Sequence, residues 1–192
     1  MIKKPIKSKI SKSQNKSSKK NALVKAVFSG ESVVSSSREA LDLYSRGFFG
    51  EHISGKIHYS YVEALYLVEK SKIEVSYNTK KLSFNQIIER CRKIDSKIQT
   101  KFLVYKDLRD RGYLLKSALK FGADFRVYEK GSRPGKEHSK WILYPISENQ
   151  ELTWHEFSAK NRVAHSTKKN LLVAIVDSEG GITYYEIAWI RP

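Results

Sequence analysis

Four short motifs typical of helix starts occur along the chain, and they constrain its fold more than any other feature. Each pairs a Ser or Thr with a Glu or Gln three residues later, the capping box in which both side chains satisfy free backbone N–H groups at a helix start. Short apolar stretches typical of strands lie between the motifs. Helices alternating with strands predict an α/β (α+β) chain with helices packed on mixed sheets. The four motifs are Ser36-x-x-Glu39, Ser60-x-x-Glu63, Ser83-x-x-Gln86 and Thr153-x-x-Glu156.

The first half of the chain predicts a small α/β domain over residues 22–98. Strands are expected at residues 22–28, 56–59 and 73–75, and Gly47 is expected to end the first helix. His52 and His58, without a set of carboxylates or cysteines, are interpreted as surface residues rather than metal ligands. The third helix predicts one apolar face made of Phe84, Ile87, Ile88, Cys91 and Ile94.

Cys91 is the chain's one cysteine, which excludes an internal disulfide and a cysteine-based zinc site. Its place on the apolar face favours a small buried hydrophobe over a nucleophile.

The second half predicts a second domain over residues 99–192. Residues 92–101 are polar and charged and are interpreted as a linker, after which Thr100 caps a helix closed by Gly112. The helix that begins at Thr153 is expected to run towards Lys168. Strands are expected over 124–128, 141–146, 171–176 and 182–190.

The net charge of +16 is divided between two basic regions. Residues 1–20 hold eight lysines and no acidic residue, which is half of the total. This segment lacks apolar surface, so residues 1–21 are predicted to be a disordered basic tail. The tail is either an arm that adds phosphate contacts or a solubilising extension. The overall charge favours a polyanionic partner, with nucleic acid first.

Several classes of protein are disfavoured by the composition. No apolar run approaches the roughly 18–20 residues of a membrane span, and the lysine-rich start has no apolar core of a secretory signal. The chain is expected to be soluble, cytoplasmic and without a membrane partner.

The second half contains four runs that carry a resemblance to a known family. They are YKDLRDRGY at 105–113, KFGADFRVY at 120–128, KEHS at 136–139 and RVAHS at 162–166, followed by lysines before Leu171. In these runs and their spacing, residues 100–192 resemble the catalytic domain of archaeal tRNA-splicing endonucleases. The resemblance implies a restriction-endonuclease-like catalytic domain and a precursor tRNA substrate.

The resemblance also implies the site residues. The family's catalytic Tyr, His and Lys correspond to Tyr128, His138 and Lys169. Two arginines that clamp a flipped-out bulge base correspond to Arg162 and Arg191, the latter chosen near the loosely matched C-terminus. No metal or other cofactor is expected.

The chemistry of metal-free RNA cleavage suits these three residue types. The reaction needs a base for the 2′-hydroxyl, an acid for the leaving 5′-oxygen and a cation for charge on the phosphate oxygens. An imidazole, with an ordinary pKa of about 6.5, suits the acid role, which falls to His138. A phenol, with an ordinary pKa of about 10, needs a nearby cation or acts by orientation; Lys169 is a candidate for that cation of Tyr128. The products would carry a 2′,3′-cyclic phosphate and a 5′-hydroxyl.

Two alternatives remain open at this point. Asp124 and Glu137 could form the carboxylate pair of a metal-dependent nuclease. The chain could also be a non-catalytic RNA-binding or structural subunit.

The resemblance finally implies assembly into four-subunit particles. An acidic loop between the last two strands of one subunit inserts into a basic cleft of its neighbour, and Asp177 and Glu179 occupy that loop here. A homotetramer and a heterotetramer with a structural subunit both fit. The apolar last strand suits either a dimer interface or a buried core position.

Overall fold

The computed structural model describes residues 23–190, so the predicted tail 1–21 and Arg191 lie outside the described residues. This part of the chain folds into five α-helices and eleven strands in two mixed sheets. The strands are β1 Val24–Phe28, β2 Val33–Ser35, β3 Glu51–Ile53, β4 Lys56–Tyr59, β5 Ile73–Tyr77, β6 Lys80–Lys81, β7 Leu114–Ala118, β8 Ala123–Tyr128, β9 Trp141–Ser147, β10 Asn170–Val176 and β11 Ile182–Ile187. The helices are α1 Arg38–Gly47, α2 Tyr61–Glu69, α3 Phe84–Arg92, α4 Ile98–Asp110 and α5 Trp154–Ser166, and a 3₁₀ turn covers Leu119–Phe121.

Three of the four predicted capping boxes are confirmed, at the starts of α2, α3 and α5. The prediction for α1 is wrong by one residue, because the side chain of Ser37, not Ser36, accepts the bond from the Ala40 backbone. Gly47 is the last residue of α1 rather than the residue beyond it. The left-handed position that ends this helix is taken by Phe48 instead, at φ 55°.

The N-terminal half, from β1 to α3, is built on a six-stranded sheet in the order β3-β4-β2-β1-β5-β6. β1 and β5 run parallel and their other neighbours are antiparallel. Cys91 is fully buried on α3, as predicted, and burial raises the pKa of its thiol to about 12. Ile94 is more than half exposed, so its predicted place on the core face is wrong.

The predicted linker over residues 92–101 is shorter in the structure, where residues 93–97 connect α3 to α4. Its first residue ends α3 and its last four form the first turn of α4, which begins at Ile98 without a side-chain cap from Thr100. Ile98 is 2% exposed and lies in the core. Gly112 does end α4 as predicted, in the left-handed conformation with the bond from Tyr113 back to Leu108 that typifies this cap.

The C-terminal half, from α4 to β11, contains a five-stranded sheet in the order β11-β10-β9-β8-β7. β9 and β10 are parallel and the other pairs are antiparallel. One face packs on α4 and on the N-terminal half, in a single apolar core that includes residues of both halves. The other face packs beneath α5 in a smaller cluster that includes Ile142, Ala164 and Leu171.

Ion pairs and backbone contacts reinforce the junction of the halves. The Asp110 carboxylate, at the end of α4, accepts bonds from the Tyr66 hydroxyl and the Lys70 ammonium of the N-terminal half. The Arg109 guanidinium donates to the Gly47 carbonyl. Within residues 23–190, no helix combines the length and apolar character that crossing a membrane requires.

Candidate active site

The candidate site lies at one end of the five-stranded sheet. β8 finishes at Tyr128, the loop 129–140 joins β8 to β9, and β10 begins at Asn170. Because β9 is antiparallel to β8 and parallel to β10, these three segments meet at the same edge. His138 lies in the loop and Lys169 directly precedes β10. The fold therefore brings all three residues predicted to be catalytic to one sheet edge.

The strand register also relates Tyr128 to Lys169. Val127, Trp141 and Asn170 form one row across β8, β9 and β10. Tyr128 directly follows Val127 in the chain, and Lys169 directly precedes Asn170. Because β8 and β10 run in opposite directions, both residues lie at the same level, one position beyond this row. Two strand spacings separate their backbones, about 10 Å.

Tyr128 is buried, with 4% of its surface exposed. Its face of β8 is the one that carries Arg126, whereas Phe125 and Val127 enter the apolar core on the opposite face, as the alternation predicts. Tyr128 lines a cleft of about 480 Å³ that opens between the two halves of the chain. Its ring is thus held by packing at the edge of a solvent-accessible space.

His138 is exposed on the β8–β9 loop, next to a buried residue, Ser139. Backbone bonds shape the loop, with the N–H groups of Lys136 and Glu137 both donating to the Arg133 carbonyl. The loop is anchored where the Lys140 N–H donates to the Val127 carbonyl. An imidazole on this loop is accessible for proton transfer to a large substrate.

Lys169 is positioned by the end of α5. Its backbone N–H donates to the Ala164 carbonyl, and the N–H of Lys168 donates to the His165 carbonyl, the paired bonds of a Schellman cap. Such a cap needs a left-handed residue, usually Gly, and here Lys168 takes that conformation at φ 56°. A lysine in this conformation is strained, as residues close to functional sites often are.

The Lys169 ammonium sits in a partly desolvated, cationic setting. Its Nζ donates to the Thr167 carbonyl at 2.8 Å. Burial, and secondarily the charge of Arg126, lower the pKa of Lys169 below its ordinary value. A cation held in this way is suited to pairing with an incoming anion.

Two cations of the cleft have no role in the sequence-based prediction. Lys116, on β7, pairs in register with Arg126 on β8, and both line the cleft beside Tyr128. The Lys116 ammonium donates to the Gly50 carbonyl at 2.6 Å, and burial is the main cause that lowers its pKa. The alternation of β8 already set Arg126 on the same face as Tyr128, which is the signal that could have found it.

One of the two arginines predicted to clamp a base, Arg162, lies within the described residues. Arg162 is exposed on α5, one turn before the helix ends. Arg191 lies outside the described residues. The ring of Trp189 packs 4.1 Å from the ring of His165, so the last described residues lie against the end of α5 that carries Arg162.

The two carboxylates of the metal-dependent alternative lie in different settings. Asp124 forms an ion pair with Lys101 at 2.7 Å, and Lys101 also pairs with Asp95. Glu137 is exposed on the loop that carries His138. Across residues 23–190, no cluster of three or more His, Cys, Asp or Glu side chains has the closeness needed to hold a metal ion.

Asp177 and Glu179 lie in the exposed turn between β10 and β11, as predicted. Asp177 shapes the turn, because its Oδ1 accepts bonds from the backbone N–H groups of Glu179 and Gly181. Glu179 is exposed at the turn itself. β11 is an edge strand of its sheet, and Tyr185 on it is 53% exposed.

Comparisons with known proteins cover both halves of the chain. Residues 24–88 match the family of the tRNA intron endonuclease N-terminal domain, and residues 98–184 match that of the tRNA intron endonuclease catalytic C-terminal domain. The tRNA-splicing endonuclease of Thermococcus onnurineus is 44% identical over 164 residues, which is 85% of this chain and 94% of that protein.

Relatives from other archaea agree. The tRNA-splicing endonuclease of Nanoarchaeum equitans is 46% identical over 137 residues, covering 68% of this chain and 88% of that protein. That of Methanothermobacter thermautotrophicus is 39% identical over 150 residues, covering 78% and 87%.

The two matched halves and the site at the sheet edge define an endonuclease with separate N-terminal and catalytic parts. The chain belongs to the tRNA intron endonuclease family, as the sequence motifs predicted.

Proposed function

We propose that this chain is the catalytic subunit of an endoribonuclease that excises introns from precursor tRNA by cutting at bulge–helix–bulge splice sites. Family membership supports the tRNA substrate. The observation that carries the catalytic part is the meeting of Tyr128, the loop of His138 and Lys169 at one sheet edge.

The proposed reaction starts with the 2′-hydroxyl next to the scissile phosphate. Tyr128 removes or orients the hydroxyl proton, and the 2′-oxygen attacks the phosphorus. His138 protonates the leaving 5′-oxygen, and the Lys169 ammonium stabilises the charge that develops on the phosphate oxygens. One product then ends in a 2′,3′-cyclic phosphate and the other begins with a 5′-hydroxyl. DNA has no 2′-hydroxyl, so the site is selective for RNA.

Substrate recognition is assigned to the two arginines. Arg162, exposed on α5, stacks on one side of a bulge base, and Arg191 stacks on the other. A guanidinium plane is well suited to such stacking. Exposure of Arg162 on the helix that leads into Lys169 supports this placement.

Assembly is assigned to the acidic turn. Glu179 and Asp177 project from a body that is otherwise basic, and they contact a basic cleft of a neighbouring subunit in a homotetramer or a heterotetramer. Because an Asp177 oxygen already holds the turn together, Asp177 sets its shape and Glu179 supplies the more available charge.

The decisive experiment is cleavage of a bulge–helix–bulge RNA by the purified chain alone in excess chelator. We expect two cuts, with cyclic phosphate ends identified by end-group analysis. Activity that vanishes with chelator and returns with magnesium would contradict the metal-independent mechanism. Binding of the RNA without any cut, at saturating protein, would indicate a structural subunit or a missing catalytic partner.

A further inference from the structure

Arg126 lines the same cleft as Tyr128. It is two residues before Tyr128 on β8, and its guanidinium carbon lies 6.0 Å from the centre of the Tyr128 ring. On the neighbouring strand its register partner is Lys116. The wall opposite comes from the N-terminal half and includes Tyr44 and His52.

The Nε atom of the Arg126 guanidinium is buried and has no hydrogen-bond partner within the described residues 23–190. None of the ion pairs found between residues 23 and 190 involves Arg126. A partly buried cation without a partner is unfavourable, so this arrangement needs a compensating anion.

Neighbouring lysines add further positive charge near Arg126. Lys116 lines the cleft with Arg126, and burial, followed by contributions that include the charge of Arg126, lowers the pKa of both Lys116 and Lys169. Two carboxylates are near, Glu51 and Glu63. Glu51 is exposed at the cleft.

Glu63 is committed to the backbone. Its Oε1 accepts a bond from the Gly50 N–H and its Oε2 accepts one from the Ser60 N–H, and the residue is buried. Neither oxygen is therefore directed to the guanidinium of Arg126.

We propose that Arg126 binds an RNA phosphate beside Tyr128 and is a further catalytic residue of the reaction. A guanidinium can offer two parallel N–H donors to the two non-bridging oxygens of a phosphodiester. Beside Tyr128, it contacts the scissile phosphate, and its bonds strengthen as negative charge grows on those oxygens. Lys116, the register partner of Arg126, donates to the Gly50 carbonyl of the N-terminal half. This inference rests on the proposed function.

The test compares single-turnover cleavage of precursor tRNA by the wild type and Arg126→Gln. We expect the cleavage rate at saturating enzyme to fall about 10²–10³-fold, as for the loss of one donor to a developing anion. The affinity for precursor tRNA carrying a 2′-O-methyl group at the splice site, which cannot react, should change much less. Arg126→Lys should retain part of the rate, since it keeps the charge but not the paired donors.

Two controls separate this role from a structural one. Arg92→Gln removes an exposed arginine of α3 that pairs with Glu89, and it should leave the rate unchanged. Added guanidinium ion should restore part of the rate of Arg126→Ala, which a structural residue would not allow. A folded Arg126→Gln that cuts as fast as the wild type would overturn the inference and leave the proposed function standing.

A second measurement keeps the inference testable if the wild type cuts nothing. Inorganic phosphate, compared with chloride at equal ionic strength, should raise the melting temperature of the wild type more than that of Arg126→Gln. Equal shifts would overturn the phosphate site in that case, whereas a larger shift in the wild type would support it although the proposed function had failed.

Discussion

The two faces of the five-stranded sheet carry different chemistry on the same strands. On β8, Phe125 and Val127 enter the large apolar core, while Arg126 and Tyr128 line the cleft on the other face. Each large apolar side chain buried on the core face contributes about 1.5–3 kcal/mol to folding. That burial can offset the cost of placing unpaired cations on the opposite face. Strand alternation thus separates the face that stabilises the fold from the face proposed to carry out catalysis.

The largest expected effect is on the rate of cleavage. His138→Ala should lower the cleavage rate by about 10²–10⁴-fold, because the leaving oxygen loses its acid. The melting temperature should not change, since His138 is exposed. His155→Ala, which alters an exposed histidine of α5, is the matched control and should cut normally. Full activity of His138→Ala would remove His138 from the mechanism.

A change on the core face should have the opposite signature. Leu143, on β9, is fully buried, and Leu143→Ala should lower the free energy of unfolding by about 2–5 kcal/mol in chemical denaturation. The fraction that stays folded should still cut. Tyr128→Phe keeps the ring and removes the hydroxyl, so it should lose cleavage and keep stability. If both variants lost both properties, the division between the faces would be wrong.

At high pH, groups on the core face should lower the stability of the folded state. Burial, aided by the bond to Asp107, raises the pKa of Tyr184, and burial raises that of Tyr105. The folded state then holds more protons than the unfolded state above about pH 10, so stability falls as the pH rises. Thermal melts by circular dichroism should show this loss. Tyr184→Phe should reduce the slope, and an unchanged slope would contradict the assignment.

A smaller effect, a gain in stability, is expected from relieving the strained backbone next to the proposed site. Lys168→Gly relieves the left-handed conformation at the end of α5 and should stabilise the protein by about 1 kcal/mol. Denaturant midpoints measure the effect. Cleavage should persist, because the cap that positions Lys169 uses backbone bonds. Destabilisation by Lys168→Gly would show that the Lys168 side chain has a role of its own.

The basic tail should contribute to RNA binding and to neither face of the five-stranded sheet. Deleting residues 1–20 should weaken RNA binding and flatten its dependence on salt, because phosphate contacts are lost. Cleavage at saturating enzyme should persist. Binding titrations at several salt concentrations test this, and an unchanged salt slope would mean that the tail is not an RNA-binding arm.

Local signals in the sequence predicted the fold well where the interactions are local. Three capping boxes were confirmed because each joins residues three apart, whatever surrounds the helix. Ser36 failed because the adjacent Ser37 offers the same chemistry one residue later. Packing decides between them, since the start at Ser37 buries Ala40.

The predicted linker was too long for a tertiary reason. Its charged composition resembles that of a solvated connector, but Lys101 pairs with both Asp95 and Asp124. Asp124 lies 23 positions further along the chain on β8, so no short window reveals the pair. Ile98 anchors the same segment in the core.

The sequence by itself determined the starts of α2, α3 and α5 and the alternation of β8, because these depend on local spacing. Its motifs also indicated the family, and through that resemblance the three residues predicted to be catalytic. Only the tertiary structure decided that Tyr128, His138 and Lys169 reach one sheet edge, since that follows from the order and direction of β8, β9 and β10. It also decided that Arg126 faces a cleft rather than open solvent. A charged side chain pairs with an opposite charge that lies near it in space. Spacing along the chain does not reveal that distance.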